Sequence, residues 1–447
     1  MSFDTVLIAN RGEIALRVIE ACRELHLRSV CVYSEADARM PYLRLADEAV
    51  CIGPPEPARS YLNIAAIVSA AELAEAGGIH PGYGFLAETP HFVEVCEEHG
   101  LTFIGPPRSV MELLGDKLAA RKTVARAGVP VLPGEPAPAD VTALHEVGER
   151  VGYPLLIKAV FGGGGRGMRW VAAPGELADK AVAASEEALA ACGDGALYLE
   201  KALLEPRHVE VQIAGDDEGS LVHLGERECS IQRRHQKLIE ESPAPSLSED
   251  VRNRLREAAL RAARAVGYRN VGTVEFLLAP DGAFYFIEMN ARIQVEHSVS
   301  EVVCGVNLIK EQILIATGER LSFTQEEIEP RGHAIECRLN AEDPKRNFLP
   351  SCGKITIDQL PGGHGVRLDT AMYNGMDMLP YYDSLVAKLV TWGQNREDAR
   401  LRMIAALQRF ELSGIETTRD LVAEILARTE FKTGEYTTTF LEGLRVG

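Results

Sequence analysis

The stretch VEFLLAPDGAFYFIEMN, residues 274–290, sets two apolar, aromatic-rich runs on either side of a Pro280-Asp281-Gly282 turn signal. Such a pattern predicts an antiparallel hairpin turning near Asp281, with residue 275 opposite 287 or 288. Glu275 and Glu288 then become cross-strand neighbours, and like charges so placed destabilise a sheet unless a cation bridges them. A divalent metal is the natural bridge. With the Asn290 amide oxygen, the two carboxylates form an oxygen set suited to magnesium held jointly with substrate phosphates. Continued at spacing two, the strand carries Glu288, Asn290, Arg292, Gln294 and Glu296 on one face and Met289, Ala291, Ile293 and Val295 on the other. A solvated edge strand, the competing reading, would favour Lys, Thr and Ser on its polar face.

The 447 residues exceed one compact core, so two or three domains with a cleft between them are expected. Residues 5–34 read as strand, helix, strand, and further α/β alternation to about residue 114 predicts a parallel, Rossmann-like layer. Its first turn, ANRGEIA, lacks the G-x-G-x-x-G spacing of a dinucleotide site. A proline-rich segment, GVPVLPGEPAPAD at 128–140, marks a hinge. Strand pairs then dominate to about residue 300 and predict an antiparallel α+β region. A third, β-rich α+β region opens at 331 with HAIECRLNAE and ends in helices. The expected division is 1–114, 115–330 and 331–447, an α/β and α+β multidomain chain.

AVFGGGGRGMRWVAAP, residues 159–174, satisfies G-x-G-x-x-G, yet a strand cut by Pro174 follows where the dinucleotide fingerprint needs a helix. No Lys-Ser or Lys-Thr pair closes the glycines as a Walker loop requires. A mobile hairpin tip remains, its amides free to approach phosphate oxygens, with Arg166 adding charge and Lys158 on the preceding strand. A ligand-free flexible tip is the alternative on this segment alone.

A net charge of −18 argues against a nucleic-acid partner, which needs a basic face. No apolar run approaches the ~20 residues of a membrane span, and the first residues read as a strand entering a helix, not as a signal peptide. The nine cysteines, such as Cys31, Cys51 and Cys337, show no C-x-x-C spacing and mostly sit in apolar runs. Buried thiols in a reducing compartment, and so a cytoplasmic protein, are expected. His80, His297 and His333 fall in strand-like segments and read as structural.

Taken together, IANRGEIA, HPGYGFLAE, GDK, KAVFGGGGRGM, EPRHVEVQ, ERECSIQRRHQKLIEE, FIEMNARIQVEH, ECRLNAED and YYDSLVAKL resemble the biotin carboxylases of the ATP-grasp superfamily over the whole chain. The resemblance implies a pre-ATP-grasp domain, an ATP-grasp domain with a mobile lid at about 131–204, and a carboxylase C-terminal domain. It implies that ATP and bicarbonate give carboxyphosphate, whose carboxyl group passes to N1′ of biotin. By that likeness Lys117, Lys158 and the loop Gly163, Gly164, Gly165, Arg166, Gly167 and Met168 hold the phosphates. Glu200, Lys201 and Leu203 line adenine, with His208, Gln232 and His235 near ribose and phosphates. Glu275, Glu288 and Asn290 hold magnesium or manganese. Lys237, Arg292, Gln294 and Val295 surround bicarbonate, and Tyr83 and Gly84 touch biotin.

Bicarbonate needs a base within hydrogen-bond reach, and Glu296 fits; Arg338 would stabilise charge developing on the ureido oxygen. For Arg338 a surface ion pair is the plainer alternative. Ser298, Ser300, the ETTRD segment near 418 and Thr439 depart from the family pattern. No MKM biotin-acceptor tripeptide occurs, so biotin is expected on a separate carrier protein with a separate carboxyltransferase, acetyl-CoA being the first candidate acceptor among acyl-CoAs and 2-oxo acids. A homodimer is also implied. An ATP-grasp ligase joining a carboxylate to an amine, or a non-catalytic nucleotide-binding subunit, are the other readings.

Overall fold

The computed structural model describes residues 3–161 and 168–443. Its N-terminal sheet has five parallel strands in the order Glu48–Gly53, Arg28–Ser34, Thr5–Ile8, Gly78–His80, Thr102–Phe103. All four residues of Thr5–Ile8 are buried, as a parallel strand covered on both faces requires. The connecting helices, among them Gly12–Glu24 and Ile64–Leu73, supply that cover. The layer is the Rossmann-like one that the sequence predicts.

An eight-stranded antiparallel sheet forms the centre. Its order is Phe284–Asn290, Asn270–Leu278, Arg207–Gly215, Leu221–Arg233, Gln236–Ser242, His333–Asn340, Leu385–Gly393, Val366–Asp369. One ladder, Gln236–Ser242 against His333–Asn340, joins the middle of the chain to its C-terminal third, so both share one continuous sheet. Residues 134–201 build a separate four-stranded sheet with the helices Val141–Val151 and Leu177–Cys192. This unit has its own cluster of buried apolar side chains, including Leu144, Leu155, Ile157, Leu177 and Leu199. The glycine-loop residues Gly163, Gly164, Gly165, Arg166 and Gly167 lie outside the described residues.

The predicted hairpin turns as expected. Gly282 has φ +81°, its amide donates to the Ala279 carbonyl at 3.0 Å, and Asp281 Oδ1 accepts from the Ala283 amide at 2.9 Å. Glu275 pairs directly with Glu288. The strand does not continue to 296, however; it ends at Asn290. The next amide, of Ala291, donates to Glu88 Oε1 at 3.2 Å, and the Tyr268 hydroxyl approaches the Asn290 carbonyl at 3.5 Å, so both partners lie outside the ladder. His297 opens the helix His297–Cys304 and is not a strand residue. Cys51 is exposed, unlike buried Cys31 and Cys337, because its strand lies at the edge of the N-terminal sheet. No helix among the described residues is long and apolar enough to cross a membrane.

Glu241 fastens the shared sheet to the C-terminal helices. It accepts from His333 Nε2 at 2.6 Å, from Arg396 through Nε at 2.6 Å and Nη2 at 2.8 Å, and from the Tyr436 hydroxyl. Burial alone would raise its pKa, but the bonds from His333 and Arg396 outweigh it and hold the carboxyl at about 2. A depressed folded-state pKa contributes stability that is present above the unfolded value near 4.5 and is lost as pH falls towards 2. Glu241→Gln is therefore expected to lower stability at neutral pH by on the order of 3 kcal/mol and to flatten its loss on acidification, read by urea unfolding at several pH values.

Candidate active site

Five chain segments bring charge into one region beside the hairpin. Alternation along Arg207–Gly215 buries Val209, Val211 and Ile213 on one side and turns His208, Glu210 and Gln212 to the other. Glu210, fully buried, accepts from Arg227 Nε at 2.5 Å and from Lys237 Nζ at 2.5 Å. Arg227 has no exposed surface, and its remaining nitrogens reach Gln212, Ser300, Thr273 and Gln294 at 2.6–3.1 Å. A buried guanidinium is stable only when its donors are filled this fully.

Lys237 is the meeting point. Its ammonium donates to Glu210, to Glu275 Oε1 at 3.1 Å and to Glu296 Oε1 at 2.5 Å. Burial works against its charge, yet the three carboxylates hold the pKa well above the usual lysine value. The same bonds act on Glu296: burial would raise its pKa, but Lys237, Arg338 and Arg227 keep it well below the usual range. Glu296 Oε2 accepts from Arg338 Nη2 at 2.8 Å. Arg338 is thus no surface ion pair; it reaches into the site and also donates to Glu240 through Nε at 2.6 Å. Gln294 Nε2 donates to Glu275 at 2.8 Å, so Gln294 and Glu296 enter the site from the loop after Asn290, without the strand predicted to carry them.

The two hairpin carboxylates differ. Burial would raise the Glu275 pKa, but Lys237 and His208, whose Nε2 lies 3.0 Å from Oε2, bring it well below normal. Glu288 is pushed up, first by burial and then by Glu275, with Lys117 and Lys158 opposing. An anion made reluctant by a second anion at its side, with the amide of Asn290 adjoining, is a donor set that fits a divalent oxygen-seeking cation. Asn290 Nδ2 donates to Glu275 at 2.9 Å, and its Oδ1 accepts from Arg292 Nη2 at 3.1 Å. Arg292 also pairs with Glu88 at 3.0 Å.

Around this core stand the residues expected at a nucleotide. Asp116 caps the helix Lys117–Arg126, accepting from the Leu118 and Ala119 amides, which sets Lys117 at the first helical position. Lys158 and Arg121 both pair with buried Glu200. Burial would lower the Lys158 pKa, but Glu200 holds it at about 12. Lys201 Nζ instead ties back to the Tyr153 carbonyl at 2.6 Å, and Leu203 and Met168 are half-buried. Gln232 pairs with Lys237 in the ladder, and exposed His235 turns the chain between those strands with φ +67°.

The N-terminal layer contributes the other wall. Asn10 Nδ2 donates to the carbonyls of Pro81 and Tyr83 at 2.6 and 2.8 Å, binding the first strand's end to HPGYGF. The Tyr83 hydroxyl donates to Glu13, and Glu13 lies 3.3 Å from the wholly buried Lys388 ammonium, which donates to the Val295 carbonyl at 2.8 Å. Gly84 has φ +69°, and a Cβ there would meet nothing within 4 Å, leaving its surface open to a ligand.

Sequence reasoning missed Arg227, Glu210, Glu240, Glu13 and Lys388. The alternation of His208, Glu210 and Gln212 with Val209 and Val211 was a usable signal for Glu210. Lys388, in the apolar run LVAKLV, carried none beyond its oddity as a lone charge in a buried strand.

Family models match most of the chain: "Biotin carboxylase, N-terminal domain" over residues 2–111, "Carbamoyl-phosphate synthase L chain, ATP binding domain" over 116–324, and "Biotin carboxylase C-terminal domain" over 336–443. The chain belongs to the biotin carboxylase family. It is accordingly an ATP-dependent carboxylase of the ligase class. The biotin carboxylase of Nostoc sp. is 49% identical over 99% of both chains. A pyruvate carboxylase subunit from Methanothermobacter thermautotrophicus is 50% identical over 100% of this chain and 91% of its own. The biotin carboxylase domain dimer of Hydrogenobacter thermophilus 2-oxoglutarate carboxylase, solved with magnesium ADP, ADP and bicarbonate, superposes with a TM-score of 0.96 at 47% identity, covering 99% of this chain and 98% of that one.

Removing the buried cation tests how this carboxylase holds its charged core. Arg227→Met leaves Glu210 with Lys237 alone and is expected to cost about 3–5 kcal/mol in urea unfolding, while adding Glu210→Gln recovers part of that loss.

Proposed function

We propose that the chain carboxylates biotin borne on a separate carrier protein, in the cytoplasm, as a subunit of an acetyl-CoA or other acyl-CoA carboxylase. The observation that carries the reading is Glu296 held between Lys237 and Arg338, beside the Glu275–Glu288 pair. The division 1–114, 115–330 and 331–447 goes with it, residues 131–204 acting as the lid, and a homodimer is the proposed assembly. The matches to subunits of pyruvate and 2-oxoglutarate carboxylases favour a second reading, in which the final acceptor is a 2-oxo acid.

In this mechanism Lys117, Lys158 and the glycine loop, Gly163 to Met168, hold the ATP phosphates, and Glu200, Lys201, Leu203, His208, Gln232 and His235 surround adenosine. Glu275, Glu288 and Asn290 would hold magnesium or manganese, which neutralises charge on the phosphate oxygens when bound. Arg292, Gln294, the Val295 backbone and Lys237 orient bicarbonate, so entropy is lost on binding and not at the barrier.

In the resting site Glu296 is a weak base, because Lys237 and Arg338 stabilise its anion. An arriving bicarbonate anion competes for both cations and raises the basicity of Glu296 where the proton must be taken. Bicarbonate oxygen then attacks the γ-phosphorus, forming carboxyphosphate and ADP. When carboxyphosphate breaks down to carbon dioxide and phosphate, the phosphate takes the ureido N1′ proton, Arg338 stabilises charge on the ureido oxygen, and N1′ bonds to the carbon of carbon dioxide to give carboxybiotin. Tyr83 and Gly84 border the biotin ring, and lid closure keeps water from the mixed anhydride.

The purified chain with ATP and magnesium is expected to hydrolyse ATP only when bicarbonate is present, and faster with free biotin. Stimulation by an amine in place of biotin would favour the ligase reading, and nucleotide binding without turnover would favour a non-catalytic role. Glu296→Gln is expected to lower turnover by at least about 100-fold while ATP affinity, measured by calorimetry, changes little. Turnover near wild type would mean that another base operates.

A further inference from the structure

Arg338 has a second carboxylate partner that the reaction above does not use. Glu240 faces Glu336 directly across the ladder between Gln236–Ser242 and His333–Asn340, and both side chains are wholly buried. Glu240 Oε1 accepts from Arg338 Nε at 2.6 Å and lies 2.5 Å from Nη2. Glu336 Oε2 accepts from the Ser298 hydroxyl. The remaining oxygen of each, Glu240 Oε2 and Glu336 Oε1, is buried with no hydrogen-bond partner among the described residues. Two orphaned carboxylate oxygens on opposed cross-strand neighbours are costly when both are ionised, because each lacks a donor and the charges repel. One proton answers both deficits.

We propose that Glu336 is a neutral acid whose Oε1 hydroxyl donates to Glu240 Oε2, so that the pair carries one negative charge and acts as a positioning device for Arg338. The bonds then run in one direction: Ser298 hydroxyl to Glu336 Oε2, Glu336 hydroxyl to Glu240, Arg338 to Glu240 and to Glu296. Every carboxylate oxygen in that chain then has a donor, the condition under which a buried polar network fixes geometry. Ser298 selects the tautomer by donating to Oε2, which leaves Oε1 to carry the proton.

The surroundings agree. The groups facing the pair are Arg338 on the same strand as Glu336, Lys237 and Glu296 towards the site, Lys388 on the next strand, Ser298 on the helix His297–Cys304, and the Cys229 thiol, while the Cys337 thiol lies on the opposite face of the strand. Lys388 gives its hydrogen bond to the Val295 carbonyl, not to Glu336 Oε1. Burial pushes Glu240 up to about 7, with Glu296 adding to the rise and Arg338 and Lys237 opposing it, and pushes Glu336 up to about 8, with Glu240 adding and Lys388 and Arg338 opposing. Above that range the shared proton is lost, and a second anion competes with Glu296 for Arg338.

The proposal rests on the biotin carboxylase reading for its consequence, but its first test does not. Infrared difference spectra of the full chain in heavy water, without substrates, should contain a carboxylic-acid carbonyl band at about pH 7 that is absent from Glu336→Gln and titrates away above about pH 8. Absence of the band in the wild type, or its survival in Glu336→Gln, overturns the proposal.

The second test reads kcat/KM for free biotin. Glutamine mimics the neutral acid, donating to Glu240 and accepting from Ser298. Glu336→Gln should therefore stay within about twofold of wild type near pH 7 and exceed it at least about threefold near pH 9, whereas Glu336→Leu should fall about tenfold at both. Equal losses in Glu336→Gln and Glu336→Leu overturn the positioning role. Should Glu336→Leu not fold, the pH dependence of Glu336→Gln against wild type decides alone. A band that behaves as expected in a chain with no biotin-dependent activity would leave the acid pair standing and remove the function assigned to the site.

Discussion

A lysine ammonium shared by three buried carboxylates is the interaction on which the rest of this structure depends. Glu210, Glu275 and Glu296 come from three separate segments, and each would be costly to bury as an isolated anion. Lys237 makes their convergence tolerable, and Arg227 and Arg338 complete the compensation on either side. Glu288 stands apart from these contacts, its charge disfavoured by burial and by Glu275. Lys237, its three carboxylates and the two flanking arginines are in this sense one electrostatic unit. Replacing any member alters the basicity of the others.

The fold serves this unit by division of labour. The continuous eight-stranded sheet fixes Glu210, Glu275, Lys237 and Arg338 relative to one another through ladder hydrogen bonds, a rigid support for groups that must stay within fractions of an ångström. The N-terminal layer brings Tyr83 and Glu13, and Lys388 from the C-terminal strand fastens Glu13 to the Val295 backbone beside Glu296. The four-stranded sheet and its two helices pack on their own apolar cluster, separate from the charged core.

What could be read from the sequence follows from the range of the interactions. The hairpin was legible because Pro280-Asp281-Gly282 and the flanking runs act locally, and its register put Glu275 opposite Glu288 as expected. The parallel layer was legible from helical and strand periodicity. Extension of the strand to 296 failed because Glu88, some two hundred residues away, captures the Ala291 amide, and no local pattern announces that. Arg227 and Lys388 escaped notice for the same reason: a buried charge in a strand has meaning only through distant partners. Ser298 was visible as a departure from the family pattern, but the contact of its hydroxyl with Glu336 was not.

We infer that this charged unit activates bicarbonate as the nucleophile towards the terminal phosphate of ATP. Oxygen-18 transfer measures it directly: with bicarbonate labelled in all its oxygens, mass analysis of the released phosphate should find one labelled oxygen per phosphate, transferred through carboxyphosphate. Unlabelled phosphate, its fourth oxygen taken from solvent water, would mean that ATP is hydrolysed without bicarbonate attack and would contradict this role for the charged unit.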